Sequence, residues 1–190
     1  MQVLKPQLRE AILNAAEHHF HRSGFEAVPM RRIADEVGIS VSALYKYFAS
    51  KKALFAAIAE PFVRETRSRA TALFAEEHNV LEARVADLAA QHLTQLIRAD
   101  PRRFVIVVGR SAGTRYAGFA RELVDHLAAH LRKSVPQERL ADGFMLRVFA
   151  ENFVAALLRI AERADRDDAS VEHDVLALVR YHLGGVARFE

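Results

Sequence analysis

Residues 30–54, MRRIADEVGISVSALYKYFASKKAL, decide how this chain folds. Their first half predicts a short helix whose apolar positions recur at helical spacing, namely Ile33, Ala34 and Val37. Gly38 permits the left-handed backbone of a tight turn. Ser40, two residues later, is a good N-cap for a second helix. The stretch therefore predicts two short helices joined by a tight turn.

The second helix has two chemically different faces. Leu44 and Phe48 lie one turn apart and point back at the first helix. At ~100° per residue, Ser42 and Lys46 face away from that seam, with Ala43 and Tyr45 on the flanks. A helix that only filled a core would not group small, polar, basic and aromatic residues on its outer side. The pattern predicts a helix-turn-helix that inserts its second helix into the major groove of double-stranded DNA.

Composition narrows the possible classes. The chain has 190 residues, 51% of them hydrophobic, which is enough for one domain or two small ones. It has no cysteine, which excludes disulfides, thiol catalysis and cysteine-ligated zinc. The net charge of +3 is confined to residues 1–52, because the remainder has nineteen residues of each sign. A basic head on a neutral body suits a phosphate-binding protein, although this asymmetry alone is ordinary.

Two features that the sequence lacks predict the cellular compartment of the protein. No apolar run approaches the ~20 residues that span a bilayer, and no basic-then-apolar leader opens the chain. We therefore expect a cytoplasmic protein that has no membrane partner.

Helical periodicity covers almost every segment, and no segment alternates as a strand does. The pattern predicts an all-α fold, with a head of residues 1–52 and a helical body of residues 53–190. Predicted helices cover 7–22, 51–74 with a kink near Pro61, 116–133, 136–164 and 171–183. Asn79–Glu82 matches a capping box, and Asp100-Pro101 is a further helix start.

Residues 20–54 resemble the N-terminal domain of TetR-type (TetR/AcrR) transcriptional regulators. The resemblance rests on Phe20, Gly24-Phe25, Ile33-Ala34, Gly38-Ile39-Ser40, Leu44-Tyr45, Tyr47-Phe48 and Ser50-Lys51. It implies a three-helix DNA-binding head followed by a ligand-binding and dimerisation bundle. It also implies a homodimer, usually a repressor, that binds a pseudo-palindromic operator and leaves it when a small molecule fills the body.

The chain departs from the family pattern at two places. The family usually has Thr or Ser where this chain has Val28 and Pro29, so one capping and phosphate-binding hydroxyl is missing. Ala43 stands where Gly or Thr is common, so any base contact there is apolar, for example to a thymine methyl.

The candidate DNA-binding residues follow from the resemblance and the helix geometry together. They are Arg31, Ser40, Val41, Ser42, Ala43, Tyr45, Lys46, Tyr47 and Lys51. Arg31 is expected at a guanine edge or a phosphate, and Ser42 and Lys46 at the groove floor. Tyr45, Tyr47 and Lys51 are expected at phosphates. The alternatives are solvated lysines and, for the tyrosines, partial packing in the core.

The body gives weaker signals. Candidates for binding a small apolar or amphipathic effector are Phe62, Phe104, Arg110, Phe119, Phe149 and Asn152. Ordinary core or surface positions are the alternative for each of them. Candidates for the centre of a dimeric four-helix bundle are Leu158, Val175 and Leu178.

Metal and enzyme chemistry find little support in the sequence. His18, His19 and His21 cluster, and His126 and His130 lie four apart, but neither group has further ligands at fixed spacing. P-loop, dinucleotide-glycine and GxSxG patterns are absent. We therefore expect no metal, no cofactor and no enzyme activity. Two rivals remain open: a regulator whose body binds a protein, and a helical enzyme with an incidental helix-turn-helix.

Overall fold

The computed structural model describes residues 5–75, 83–134, 143–164 and 167–187. Within these ranges it is all-α, as predicted, with no strand. The helices are α1 (Pro6–Ala27), α2 (Met30–Val37), α3 (Val41–Tyr47), α4 (Lys51–Ala75), α5 (Ala83–Ala99), α6 (Pro101–Gly109), α7 (Phe119–Ser134), α8 (Phe144–Ala164) and α9 (Val171–Ala187). No helix in the described ranges is both long and apolar enough to cross a membrane.

One apolar core runs from the head into the body. Phe20 of α1, Ile33 of α2 and Leu44 of α3 are fully buried and belong to the same cluster as Phe55 of α4. The ring of Phe55 lies 5.3 Å from the ring of Phe20 and 5.9 Å from the ring of Tyr116. The division predicted between residues 52 and 53 thus falls in the first turn of α4, a helix that contributes to both parts.

Helix α1 is interrupted near its end. The sequence predicts that it stops before Ser23-Gly24, but helical structure resumes after Gly24 and reaches Ala27. Gly24 has φ 76° and ψ 162°, a combination essentially restricted to glycine. The interruption turns the backbone N–H of Phe25 towards the carbonyl of Arg110, 3.0 Å away.

Helix α6 lies at the centre of the body. Phe104, Val105, Ile106 and Val107 are all buried, so the first four residues of the apolar run FVIVVG lie in the core. Helices α1, α4, α5, α7 and α8 pack around it. Gly109 allows the closest approach to α8, because a Cβ placed there would lie 3.0 Å from a methyl of Leu158.

Some sequence predictions differ from the structure in detail. Helix α4 runs through Pro61 and ends at Ala75, as predicted, whereas α7 begins at Phe119 rather than near Tyr116. The capping box at 79–82 and the helix start at Pro136 lie outside the described residues. Pro29 is the N-cap of α2 and makes no side-chain capping bond, while Val28 is fully buried.

Candidate nucleic-acid interface and body cavity

The turn between α2 and α3 is held by local hydrogen bonds, as the sequence predicts. Gly38 adopts the left-handed conformation at φ 73° and ends α2. Ser40 caps α3 by accepting a hydrogen bond from the backbone N–H of Ala43 at 3.1 Å. Its hydroxyl also lies 3.0 Å from that of Ser42. These contacts fix how α3 leaves the turn and therefore which of its side chains face outward.

The outer face of α3 is exposed and carries the expected polar residues. Ser42, Tyr45 and Lys46 are exposed, while Val41 and Ala43 are half-buried. Leu44 and Phe48 are buried against the head. Arg31 on α2 is well exposed, and its guanidinium lies 3.8 Å from the carboxylate of Asp35. The structure therefore brings basic, hydroxyl and aromatic groups to one end of the head, as a DNA-reading surface requires.

Tyr47 lies at the edge of this surface rather than on it. Its ring is half-buried and packs against the head core. Its hydroxyl accepts a hydrogen bond from the backbone N–H of Lys5 at 3.1 Å. Partial packing, the alternative stated above, thus describes its ring in this structure.

Lys51 requires a correction. Its ammonium donates to the carbonyl oxygens of Phe25 at 2.6 Å, Val28 at 2.9 Å and Glu26 at 3.2 Å. It also lies 4.4 Å from the centroid of the Phe25 ring. Burial lowers the pKa of Lys51, and the nearby Glu26 carboxylate opposes that shift. All three ammonium protons have partners inside the protein, so the charge secures the end of α1 instead of reaching outward to a phosphate.

Comparison with known proteins agrees with this geometry. Residues 12–58 match the family model described as bacterial regulatory proteins, tetR family. The chain is thus a transcriptional regulator whose residues 12–58 are a TetR-family DNA-binding domain. It is 27% identical over 158 residues to the nucleoid occlusion factor SlmA of Vibrio vulnificus (strain YJ016), covering 81% of this chain and 80% of that protein. It is 26% identical over 175 residues to the HTH-type transcriptional repressor AcnR of Corynebacterium diphtheriae, covering 84% of each.

Solved structures show the same fold over nearly the whole regulator. A TetR-like transcriptional regulator from Rhodococcus sp. RHA1 superposes with a TM-score of 0.70 at 19% identity, covering 98% of this chain and 100% of that one. A gamma-butyrolactone receptor described as an ArpA-like protein gives a TM-score of 0.59 at 19% identity, covering 94% and 98%. AcnR and the Rhodococcus protein are named as a transcriptional repressor and a transcriptional regulator.

The body of this regulator contains an apolar cavity of about 170 Å³. Helices α4 to α9 all contribute to its wall. Of the six residues predicted to bind an effector, Phe104 and Phe149 line it. The apolar part of the lining also includes Leu88, Leu93, Leu96, Leu123, Leu127, Phe153 and Leu157.

The other four predicted effector residues lie elsewhere. Phe62 packs behind the wall, with its ring 5.9 Å from that of Phe104. Phe119 lies beneath the guanidinium of Arg67, 5.8 Å from it. Asn152 is exposed on α8. Arg110 lies where the body meets the head and donates to the carbonyl of Arg22 at 3.1 Å. None of these four lines the cavity, so they are corrected as effector contacts.

Six polar residues of the cavity wall were missed by sequence reasoning. They are Thr66, Arg69, His92, His126, His130 and His182. His126 and His130 were noted in the sequence because they lie four residues apart, but only as possible metal ligands. Within the described residues no group of three or more His, Cys, Asp or Glu is arranged to hold a metal ion. The remaining four come from three helices distant in sequence, and no local pattern links them.

Helix α6 connects this cavity to the DNA-binding head. Phe104 in its first turn lines the cavity, and Arg110 at its C-terminal end accepts the hydrogen bond from Phe25. The loop after α6 is fastened to α4 as well. Tyr116 donates to the carboxylate of Glu60 at 2.6 Å, and Arg115 donates to the same oxygen at 2.5 Å.

The residues predicted for the dimer centre are not the most exposed ones on α8 and α9. Val175 is fully buried within the subunit, and Leu158 packs against Gly109 of α6. Leu178 is half-buried against the same core. Tyr181, in contrast, is 77% exposed. Val175 is therefore a core residue and is corrected as an interface contact, whereas Leu158 and Leu178 keep part of their surface exposed and stay predictions.

Proposed function

We propose that this TetR-family protein is a homodimeric repressor that leaves its operator when a small molecule occupies the body cavity. Each head would insert α3 into a major groove, with Ser42 and Lys46 facing base edges and Tyr45 and Arg31 near the backbone. The exposure of these four side chains supports that role. Two heads related by a two-fold axis would read two half-sites of a pseudo-palindrome.

One observation carries the effector-response part of the proposal. A single nine-residue helix, α6, lines the cavity at one end and is hydrogen-bonded to α1 at the other. A ligand that prefers one position of α6 would bias the orientation of the head, provided it binds the two states with different affinity. A fully packed body would favour a regulator that binds only a protein partner. The presence of a cavity supports a small-molecule ligand instead.

The dimer would form through the outer faces of α8 and α9. Exposed positions recur there at helical spacing, including Asn152 and Ala155 on α8 and Ala177 and Tyr181 on α9. Small side chains allow helices to approach closely, and a large exposed aromatic ring is costly to leave in water. Pairing these faces about a two-fold axis would give a four-helix bundle.

Selection of duplexes from a random pool by the purified protein tests the DNA-binding part. We expect an enriched inverted repeat that binds two protomers. Enrichment of a single half-site by a monomer would contradict the dimer.

A cavity-filling variant tests the response without requiring a known effector. Ala89→Phe adds a ring to the cavity wall and should weaken operator binding about ten-fold if filling the cavity shifts the head. Ala129→Phe, at an exposed position of α7 outside the cavity, is the matched control. Equal operator affinity for the two folded variants would contradict the proposed coupling.

A second candidate is a DNA-binding protein whose body binds another protein. Its support is the similarity to proteins named nucleoid occlusion factor SlmA over four-fifths of the chain. A shallow groove between α6, α7 and α8, lined by Val108, Val124 and Leu158, offers one surface for such a partner. If Ala89→Phe leaves operator binding unchanged, this candidate gains over the small-molecule response.

A further inference from the structure

The cavity contains a buried hydroxyl that has no hydrogen-bond partner. Thr66 lines the cavity, is only 3% exposed, and its Oγ1 has no partner among the described residues. A threonine within a helix commonly bonds to the carbonyl four residues earlier. Thr71 of the same helix does so, donating to the carbonyl of Arg67 at 2.9 Å. A buried hydroxyl without a partner destabilises a protein, so the Thr66 hydroxyl would gain from a ligand acceptor brought against this part of the cavity wall.

Arg69 lies one turn further along α4 and lines the same cavity. Its Nε and Nη2 both donate to one oxygen of Glu65, at 3.0 and 2.8 Å. That pair engages one side of the guanidinium, and the Nη1 protons lie on the other side. Residues three apart on a helix are neighbours on one face. Thr66 and Arg69 can therefore contact the same ligand group.

The polar side chains around the cavity favour an anion over a cation. Among the described residues that line it, Arg69 and four histidines are basic or hydrogen-bonding, and none is an aspartate or glutamate. The rest of the wall is almost entirely apolar. A ligand that combines an apolar part with a negatively charged acceptor group is complementary to this wall, whereas a cation is not.

The cavity also limits the size of the ligand. Its volume is about 170 Å³, and an apolar cavity of roughly 150 Å³ accepts benzene. By proportion to that case, the structure has room for an apolar ligand part of about seven non-hydrogen atoms.

We propose that the effector is a small apolar monocarboxylate whose carboxylate is held by the Thr66 hydroxyl and Arg69. Its hydrocarbon part would lie among Leu93, Phe104 and Phe149. This inference rests on the proposed function of the cavity and adds the chemical class of its ligand.

Calorimetric titration of the full-length protein with two matched probes tests the inference. Benzoate supplies the carboxylate, and benzyl alcohol has the same ring with a neutral hydroxyl. We expect benzoate to bind at least ten-fold more tightly than benzyl alcohol. Hexanoate against 1-hexanol repeats the comparison with a flexible chain. Equal affinity for the acid and its alcohol in both pairs, or no binding of either acid by protein that binds its operator, would overturn the proposal.

Substitutions with matched controls locate the carboxylate site. Thr66→Val preserves shape and should weaken benzoate about ten-fold, the effect of losing one charge-assisted hydrogen bond. Thr94→Val is its control, because Thr94 is also buried without a partner among the described residues but does not line the cavity. Arg69→Gln should weaken benzoate and spare benzyl alcohol, whereas Arg64→Gln, exposed on the same helix, should change neither.

The outcomes separate this inference from the proposed function. Equal loss of benzoate affinity in Thr66→Val and Thr94→Val would overturn the carboxylate site, whatever Ala89→Phe does to operator binding. Conversely, Thr66-dependent benzoate binding with no effect of Ala89→Phe or benzoate on operator affinity would support the site and contradict the effector response.

Discussion

Lys51 illustrates how much a single residue's role depends on what surrounds it. Its position at the start of α4 suggests a phosphate contact, because helix N-termini attract anions. In the folded chain its ammonium instead binds three carbonyls at the end of α1 and the residue after it. Those carbonyls belong to residues more than twenty positions earlier, so nothing near Lys51 in the sequence announces them.

We expect Lys51→Met to destabilise the head rather than to remove a DNA contact. Loss of the charged hydrogen bonds should lower the free energy of unfolding by roughly 1.5–3 kcal/mol. The salt dependence of operator binding should stay the same, because no phosphate contact is lost. Urea unfolding and titrations at several salt concentrations measure both, with Lys52→Met, exposed on the same helix, as the control. A salt slope reduced by about one unit would return Lys51 to the DNA interface.

Lys46 is the residue on which sequence specificity should depend. It is exposed on the outer face of α3. Lys46→Ala should cost roughly 1–3 kcal/mol on the selected operator if the ammonium contacts a base edge, and much less on random duplexes. Competition titrations with the two kinds of DNA make the comparison. Equal losses on both would assign Lys46 to the phosphate backbone.

At the scale of single elements, the break in α1 matters most. Gly24→Ala should destabilise the protein by about 1–3 kcal/mol, because φ 76° with ψ 162° is strained for any residue with a Cβ. Steric clash is not the cause, since the nearest atom to the added Cβ lies 3.7 Å away. Gly118→Ala, where nothing lies within 4 Å, is the control for urea unfolding. Equal stability of the two variants would mean that α1 can re-form without the break.

How far the sequence predicts an element depends on where its partners are. Gly38, Ser40 and the Leu44/Phe48 seam were predictable because their contacts lie within a few residues. The cavity wall was not, because Thr66, His92 and His182 meet only after α4, α5 and α9 have packed together. Val175 shows a third case: an apolar residue on α9 can face its own subunit or a partner, and helical periodicity does not distinguish the two.

At the scale of the whole molecule, Tyr181 tests the assembly. Tyr181→Asp puts a charge on the exposed face of α9 and should convert the dimer to a monomer that keeps its helix content but binds the operator weakly. Thr71→Asp, exposed on α4, is the matched control in sedimentation and circular dichroism. A Tyr181→Asp protein that remains dimeric would move the interface away from this face.

His182 should make the stability of the body depend on pH. Burial lowers the pKa of His182, and the hydrogen bond to the Leu178 carbonyl opposes this only in part. Below about pH 6.5 the unfolded chain takes up a proton that the folded His182 resists, so the folded state loses stability as pH falls. Urea unfolding between pH 7.5 and 5.5 should show wild type losing more stability than His182→Gln. Parallel pH profiles would mean that the ring is protonated in the folded state too.

The shared core of head and body has a consequence for building chimeric regulators. Phe55 of α4 packs against Phe20 and Phe25 of α1, at 5.3 Å in each case. A head cut off at residue 52 and joined to a foreign body would lose that ring and expose the two phenylalanines it covers. A transplantable DNA-reading unit must therefore carry the first turns of α4, and the foreign body must accept them as part of its own interior.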